Sequence, residues 1–235
     1  MRGFKRFLRI IFFGLLCGCS RLPTPEEPAA VPIIPVFEVF GYARCSNCPA
    51  VEHALDSIKS EFDDSVVVLQ YHMRILGDTL SPQSILERQN LYNVGSSAPV
   101  TVIHGEEILQ GSSGLSTQLF KAYYSSIRSR EDSVTVVIAS HLEGDSILFT
   151  LSVKEETIVP GARLFIFVTQ DSIIFKQTGV PDTIFNNVVR FYSSLHAEFP
   201  CQVRVSRTLF PQGNFVALLQ DTLSKKIISV TQRRF

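Results

Sequence analysis

Cys45-Ser46-Asn47-Cys48-Pro49 joins an extended apolar run to an amphipathic one, and that junction constrains the chain more than any other stretch. The β-branched and aromatic residues of Val36-Phe37-Glu38-Val39-Phe40 predict a strand, whereas Val51, Ala54, Leu55, Ile58 and Phe62 recur at helical spacing on one face. A strand therefore delivers a CxxC pair to the first turn of a helix. Unpaired N–H groups and the positive end of the helix dipole favour a thiolate there. Cys45, at the mouth of the turn, is the expected attacking thiolate, and Cys48, deeper in the helix, the thiol that resolves a mixed disulfide. Pro49 suits the first turn, where its missing donor costs little. Two other uses of the pair stay open: a structural disulfide, or a copper or zinc site completed by His53, His72 or His104. Structural zinc usually requires four ligands and no second cysteine pair exists, so no metal ligand is assigned and no cofactor is expected.

The N-terminus points to export. Residues 1–18 open with Arg2, Lys5, Arg6 and Arg9 and continue through the apolar stretch Ile10 to Leu16, too short in its apolar part for a comfortable membrane span. Leu16-Cys17-Gly18-Cys19 resembles a bacterial lipobox, which implies cleavage before Cys19 and lipidation of that residue. Residues 19–35 carry Pro23, Pro25, Pro28, Pro32 and Pro35 and are expected to form a semi-extended tether. At roughly 3.1 Å per residue it reaches up to about 50 Å. The expected location is the bacterial cell envelope, lipid-anchored at the outer membrane and facing the periplasm or the exterior.

Four of the 22 basic residues lie in that leader, which leaves 18 against 22 acidic ones. With no basic cluster, nucleic acid is excluded as a partner. Of five cysteines, Cys45, Cys48 and Cys201 then remain unlipidated, a count that suits one redox pair in an oxidising compartment. Cys201 follows Pro200 in an apolar run and is expected to be a buried, inert thiol.

After the cysteine helix, residues 65–72 predict a second strand and residues 84–94 a helix with Ile85, Leu86, Gln89 and Tyr92 inward. Residues 98–103 and 107–111 predict a hairpin about His104-Gly105, and residues 115–128 a closing helix. The order is βαβαββα. On the first strand, Glu38 faces away from Phe37 and Val39, and is the expected proton carrier for Cys48.

Over residues 36–130 that order, the CxxC at a helix start and Pro99 opening the third strand resemble the thioredoxin fold. The resemblance implies a cis Pro99 lying against the CxxC, with the backbone of Ala98 presented to an extended substrate. A closer likeness is to exported lipoproteins related to outer membrane protein 28, which join a thioredoxin-like segment to a β-rich part. It is carried by Glu38, Phe40, the CxxC with Pro49, Tyr71-His72, Asp78, Arg88, Tyr92, Pro99, Gly105 and Phe185-Asn186-Asn187-Val188-Val189-Arg190. The chain departs from many thioredoxins in having no Trp before Cys45, and Ser46-Asn47 gives no redox direction.

From residue 131 to 235 strand-length runs at 134–138, 146–153, 163–168, 171–175, 201–205, 214–219 and 226–231 follow one another without a mechanism-bearing motif. The expected fold class is thus an α/β thioredoxin-like domain (36–130) followed by an all-β immunoglobulin-like sandwich (131–235). The expected function is a membrane-anchored thiol–disulfide oxidoreductase acting on protein or small-molecule disulfides. Its alternative is a non-catalytic binding or assembly lipoprotein whose CxxC is a structural disulfide.

Overall fold

A computed structural model describes residues 32–130, 134–154, 160–175 and 183–235. The signal segment 1–18, Cys19 and residues 20–31 of the tether lie outside the described residues. The end of the tether is held against the domain: Ile33 is buried, and Arg128 Nη1 donates to the carbonyls of Pro32 and Ile33 at 3.1 and 3.0 Å.

The elements run β1 (Val36–Gly41), α1 (Cys48–Phe62), β2 (Val67–His72), α2 (Leu86–Leu91), β3 (Val100–Ile103), β4 (Glu107–Gln110) and α3 (Thr117–Arg128). There follow β5 (Val136–Glu143), β6 (Ser146–Val153), β7 (Ala162–Gln170), β8 (Ile173–Phe175), β9 (Thr183–Phe185), β10 (Val188–His196), β11 (Cys201–Ser206), β12 (Asn214–Asp221) and β13 (Ile227–Arg234).

The expected fold class, a thioredoxin-like domain followed by an immunoglobulin-like sandwich, is overturned by the sheet. Strands from both halves form one eight-stranded mixed sheet in the order β13-β12-β7-β10-β2-β1-β3-β4. The seam is β10 against β2, parallel through Val188 and Gln70, with Gln70 N donating to the Asn187 carbonyl at 2.9 Å. Only β5, β6 and β11 form a separate small sheet, and β8 with β9 a two-stranded ribbon. The chain therefore does not close an α/β unit before beginning a β unit.

Burial explains the arrangement. In β7, Leu164, Ile166 and Val168 face one side and Phe165 and Phe167 the other, and all five are buried. Such an unbroken apolar run needs cover on both faces, whereas a sandwich strand has one face in water. One face of the sheet is covered by α1 and α3 over β1 and β2, where Phe120 meets Phe37 edge-on at 5.5 Å. The same face carries the β11-β6-β5 sheet over β7 and β12, with Phe149 stacked on Phe215 at 3.9 Å. The opposite face packs Phe40, Tyr71, Phe165, Phe167, Tyr192 and Val216 against Ile85 and Tyr92 of the α2 region.

At the turn between β3 and β4, Gly105 has φ +77°, and a Cβ there would lie 2.1 Å from the Lys225 carbonyl oxygen. Only glycine admits that approach of the C-terminal strands. Among the described residues no helix is long and apolar enough to cross a membrane.

Candidate functional site

β1 ends at Gly41, and the chain turns through Ala43 and Arg44 into the cysteine pair. Cys45 and Cys48 are joined as a disulfide, with Cα atoms 5.4 Å apart. Cys48 is the first residue of α1, Asn47 is its N-cap without a side-chain cap bond, and Pro49 occupies the first turn. The Cys48 N–H donates to Cys45 Sγ at 3.1 Å. A first-turn amide thus serves the sulfur expected to attack, and once the disulfide is reduced the same donor favours a thiolate. Cys45 is 7% exposed and Cys48 1%.

Beneath the disulfide lies a group of polar side chains on the α1 face of the sheet. Gly41 pairs with His72 in register. A Cβ on Gly41 would lie 3.1 Å from Cys48 Sγ and 3.7 Å from Glu52 Oε1, so glycine here leaves the sulfur and the carboxyl their places. Glu52 is one helical turn beyond Cys48, which sets both on the same side of α1. Burial pushes its carboxyl pKa up, partly offset by His72 and Gln70 nearby. Glu52 Oε1, Gln70 Nε2 and His72 Nε2 are all buried without a hydrogen-bond partner.

His72 is held from its other side. Its Nδ1 lies 2.7 Å from Asp78 Oδ2, and both side chains are buried. The same Asp78 oxygen accepts from Ala43 N, two residues before Cys45, at 2.7 Å, and Oδ1 accepts from Leu80 N at 2.9 Å. Burial raises the Asp78 pKa, but the His72 contact and the two backbone donors outweigh it and hold the carboxyl below its ordinary range. Asp78 thus ties His72 to the cysteine loop.

The C-terminal half closes over this corner. Phe185 meets the His72 ring edge-on at 4.6 Å and packs with Leu80, Val188 and Ala43. Asn186 and Asn187 donate from their side-chain amides to the two oxygens of Asp56 on α1, at 2.9 and 3.2 Å. Phe185 therefore covers His72 from the side, and Val188 brings β10 into the sheet beside it.

Glu38 is a correction. It lies on the sheet face away from α1, fully buried, and its oxygens accept from Arg88 Nε and Nη2, Tyr71 and Tyr92, each at 2.7 Å. Arg88 also donates from Nη1 to Gln220 of β12, and its guanidinium stands 4.6 Å over the Phe165 ring. With its acceptor sites taken and the sheet between it and the disulfide, Glu38 is not placed to serve Cys48. Glu52 is, and the signal for it was its position four residues after Cys48.

Pro99 follows a cis peptide bond from Ala98. Val100 pairs with Phe40, which puts Ala98 and Pro99 at the end of the sheet where Gly41 leads into the cysteines. His53 is exposed on α1. His104 lies at the far end of the sheet, where its N–H donates to the Val36 carbonyl at 2.7 Å. Burial lowers its pKa to about 4. Of the three histidines proposed as metal partners, only His72 neighbours the disulfide, and among the described residues no three His, Cys, Asp or Glu side chains are grouped to hold a metal. Cys201 is half-buried in β11 opposite Leu151, with its thiol pKa raised by burial.

No protein-family model matches the chain, and neither does any curated protein. Its fold is similar to that of an Agrobacterium tumefaciens protein known from an X-ray crystal structure, with a TM-score of 0.60 and 18% identity. The match covers 87% of this chain and 95% of that one, so the likeness spans both halves. At that identity it speaks for the fold alone. A superoxide reductase from Nanoarchaeum equitans matches with a TM-score of 0.25 and 16% identity, over 43% of this chain and 91% of that one. So slight a likeness carries no argument.

Proposed function

We propose that this protein is a thiol–disulfide oxidoreductase of the bacterial cell envelope, held at the outer membrane by a lipid on Cys19. The observation that carries the chemistry is the Cys48 N–H aimed at Cys45 Sγ in the first turn of a 15-residue helix. In the reduced protein, the Cys45 thiolate attacks one sulfur of a substrate disulfide and expels the other as a thiolate. Cys48 then attacks Cys45 Sγ, releases the second substrate sulfur and restores the Cys45–Cys48 bond. The backbone of Ala98, before the cis Pro99, is the proposed contact for an extended substrate. The location and the kinship with lipoproteins related to outer membrane protein 28 rest on the sequence features given above.

The alternative, a binding or assembly lipoprotein in which the disulfide only fixes the helix start, draws on the burial of both sulfurs. Catalysed reduction of a protein disulfide by dithiothreitol separates the two. The oxidoreductase loses essentially all catalysis on Cys45→Ser, whereas Cys48→Ser accumulates a mixed disulfide with the substrate. Full activity in Cys45→Ser, or no activity in the unaltered protein, rejects the proposal.

A further inference from the structure

The Asp78–His72 pair takes no part in the sulfur exchange itself, although it is a well-built acid–base group near the disulfide. Resting on the proposed oxidoreductase function, we propose that His72, oriented by Asp78, receives through Glu52 the proton that Cys48 must shed to become a nucleophile.

Three observations carry this. First, Cys48 Sγ and Glu52 Oε1 both lie within van der Waals range of one point above Gly41, at 3.1 and 3.7 Å, so they can be no farther apart than those two distances together. Second, Glu52, Gln70 and His72 meet on the α1 face, where the Gln70 amide acts on the Glu52 carboxyl and His72 Nε2 is left buried without a partner. Buried polar groups are nearly always paired, and an unpaired one beside a reactive thiol calls for an explanation such as a catalytic role. Third, Asp78 fixes the imidazole. A carboxylate 2.7 Å from Nδ1 assigns the proton to that nitrogen, which leaves the lone pair on Nε2, the unpartnered atom. Asp78 then stabilises the imidazolium that forms when Nε2 takes a proton.

Charged and titratable neighbours come from several elements, beginning with Arg44 directly before Cys45. α1 contributes His53 and Asp56 beside Glu52, the loop after β2 contributes Asp78, and Asp171 faces Asp56 from the C-terminal half.

With Cys45 bound to a substrate sulfur, the Cys48 S–H proton passes to the Glu52 carboxylate and on to His72 Nε2. The Cys48 sulfur forms a bond to Cys45 Sγ, the Cys45–substrate S–S bond breaks, and its electron pair leaves on the substrate sulfur, which is protonated by water. The dithiol is oxidised by two electrons and the substrate disulfide reduced by two. His72 later returns its proton to solvent. Glu52 acts on the reacting thiol, and His72 and Asp78 are positioning residues that act through it.

The test isolates the resolving step in the full chain carrying Cys17→Ser, Cys19→Ser and Cys201→Ser. The reduced protein is mixed with an aromatic disulfide whose released thiolate is coloured. A first equivalent reports attack by Cys45 and a second reports resolution by Cys48. Glu52→Gln is expected to slow the second phase roughly 100-fold at neutral pH and leave the first nearly unchanged. His72→Gln and Asp78→Asn are expected to slow it roughly tenfold. In all three, the pH at which the second phase reaches half its maximum rises toward the ordinary thiol value of about 8.5. His72→Gln keeps a polar side chain, and the amide oxygen introduced by Asp78→Asn would still accept from Ala43 N, so circular dichroism should show folded variants. If Cys45 reacts and the variants resolve at the original rate with the original pH profile, the relay is wrong and the oxidoreductase stands. If the unaltered protein shows no first phase, both fall.

Discussion

Two carboxyls on opposite faces of the same sheet, Glu38 fully buried and Glu52 half-buried, have been given opposite surroundings. Glu38 is saturated: Arg88 grips it with two donors, Tyr71 and Tyr92 supply two more, and Gln220 holds Arg88 from the C-terminal half. Glu52 is left short, with Oε1 unpartnered beside two other unpartnered atoms and a disulfide. A fully satisfied buried network rigidifies the core, whereas an incompletely satisfied one costs stability. The difference separates what holds the fold from what is available for chemistry. Tyr71 and Tyr92 fit the first role: burial and the neighbouring Glu38 push both phenols well above their ordinary range, so they remain donors throughout the physiological pH range.

The largest expected effect comes from breaking the saturated side. Arg88→Met strands Glu38 in the core and is expected to cost about 3–5 kcal/mol in urea unfolding, while the double change with Glu38→Met recovers part of that loss. If Arg88→Met instead cost under about 1 kcal/mol, the network would not be what binds the two halves.

His104 provides an intermediate case, buried and short of one partner but far from the cysteines. Its folded pKa of about 4 lies below the ordinary 6.5, so between those values the unfolded chain binds a proton that the folded one refuses. Stability is therefore lost as the pH falls from about 6.5 toward 4, by about 2 kcal/mol at pH 5. His104→Asn, which suits the residue's φ of 50°, should flatten that part of the profile. An unchanged acid limb in the variant would assign the loss to other groups.

The smallest effect is expected at Glu52. Because its folded pKa is raised above the ordinary 4.5, the folded protein loses a little stability as the pH climbs through the interval above that value, and the loss persists at higher pH. Glu52→Gln removes this penalty and should leave the protein as stable or up to about 1 kcal/mol more stable at neutral pH. A destabilised variant would show that Glu52 belongs with Glu38 as a structural group.

Much of the first half was legible because its periods are clean. The β-branched and aromatic run of β1 and the helical spacing of Val51, Ala54, Leu55 and Ile58 place the cysteines at a helix start, as the structure has them. β10 was not legible, since a register shift between Val189 and Phe191 breaks its alternation, and with it went the seam that makes one sheet of two halves. The unbroken apolar run of β7 carried the contrary signal, that both of its faces are covered.

Of the inner face expected for α2, Ile85, Gln89 and Tyr92 are buried and Leu86 is not, for a local reason. The chain enters α2 through a 3-10 turn at Gln83–Ile85, whose tighter winding rotates the helix that follows. Leu86 is consequently 45% exposed and Arg88 fully buried, reversing the expected inner face at those two positions. Glu38 was correctly set opposite Phe37 and Val39, but a strand pattern gives no indication of which face the cysteine helix covers. That choice depends on how β1 and β2 receive α1, which only the assembled sheet displays.

The redox equilibrium of the Cys45–Cys48 pair tests the central claim most directly. Thiol alkylation and mass shift, read across a series of dithiothreitol ratios on the folded full chain carrying Cys17→Ser, Cys19→Ser and Cys201→Ser, give its potential without needing a Trp signal. An exchange catalyst should titrate between about −270 and −120 mV while folded. A potential below about −300 mV, or reduction only after unfolding, would contradict the account and leave the disulfide as a structural clasp.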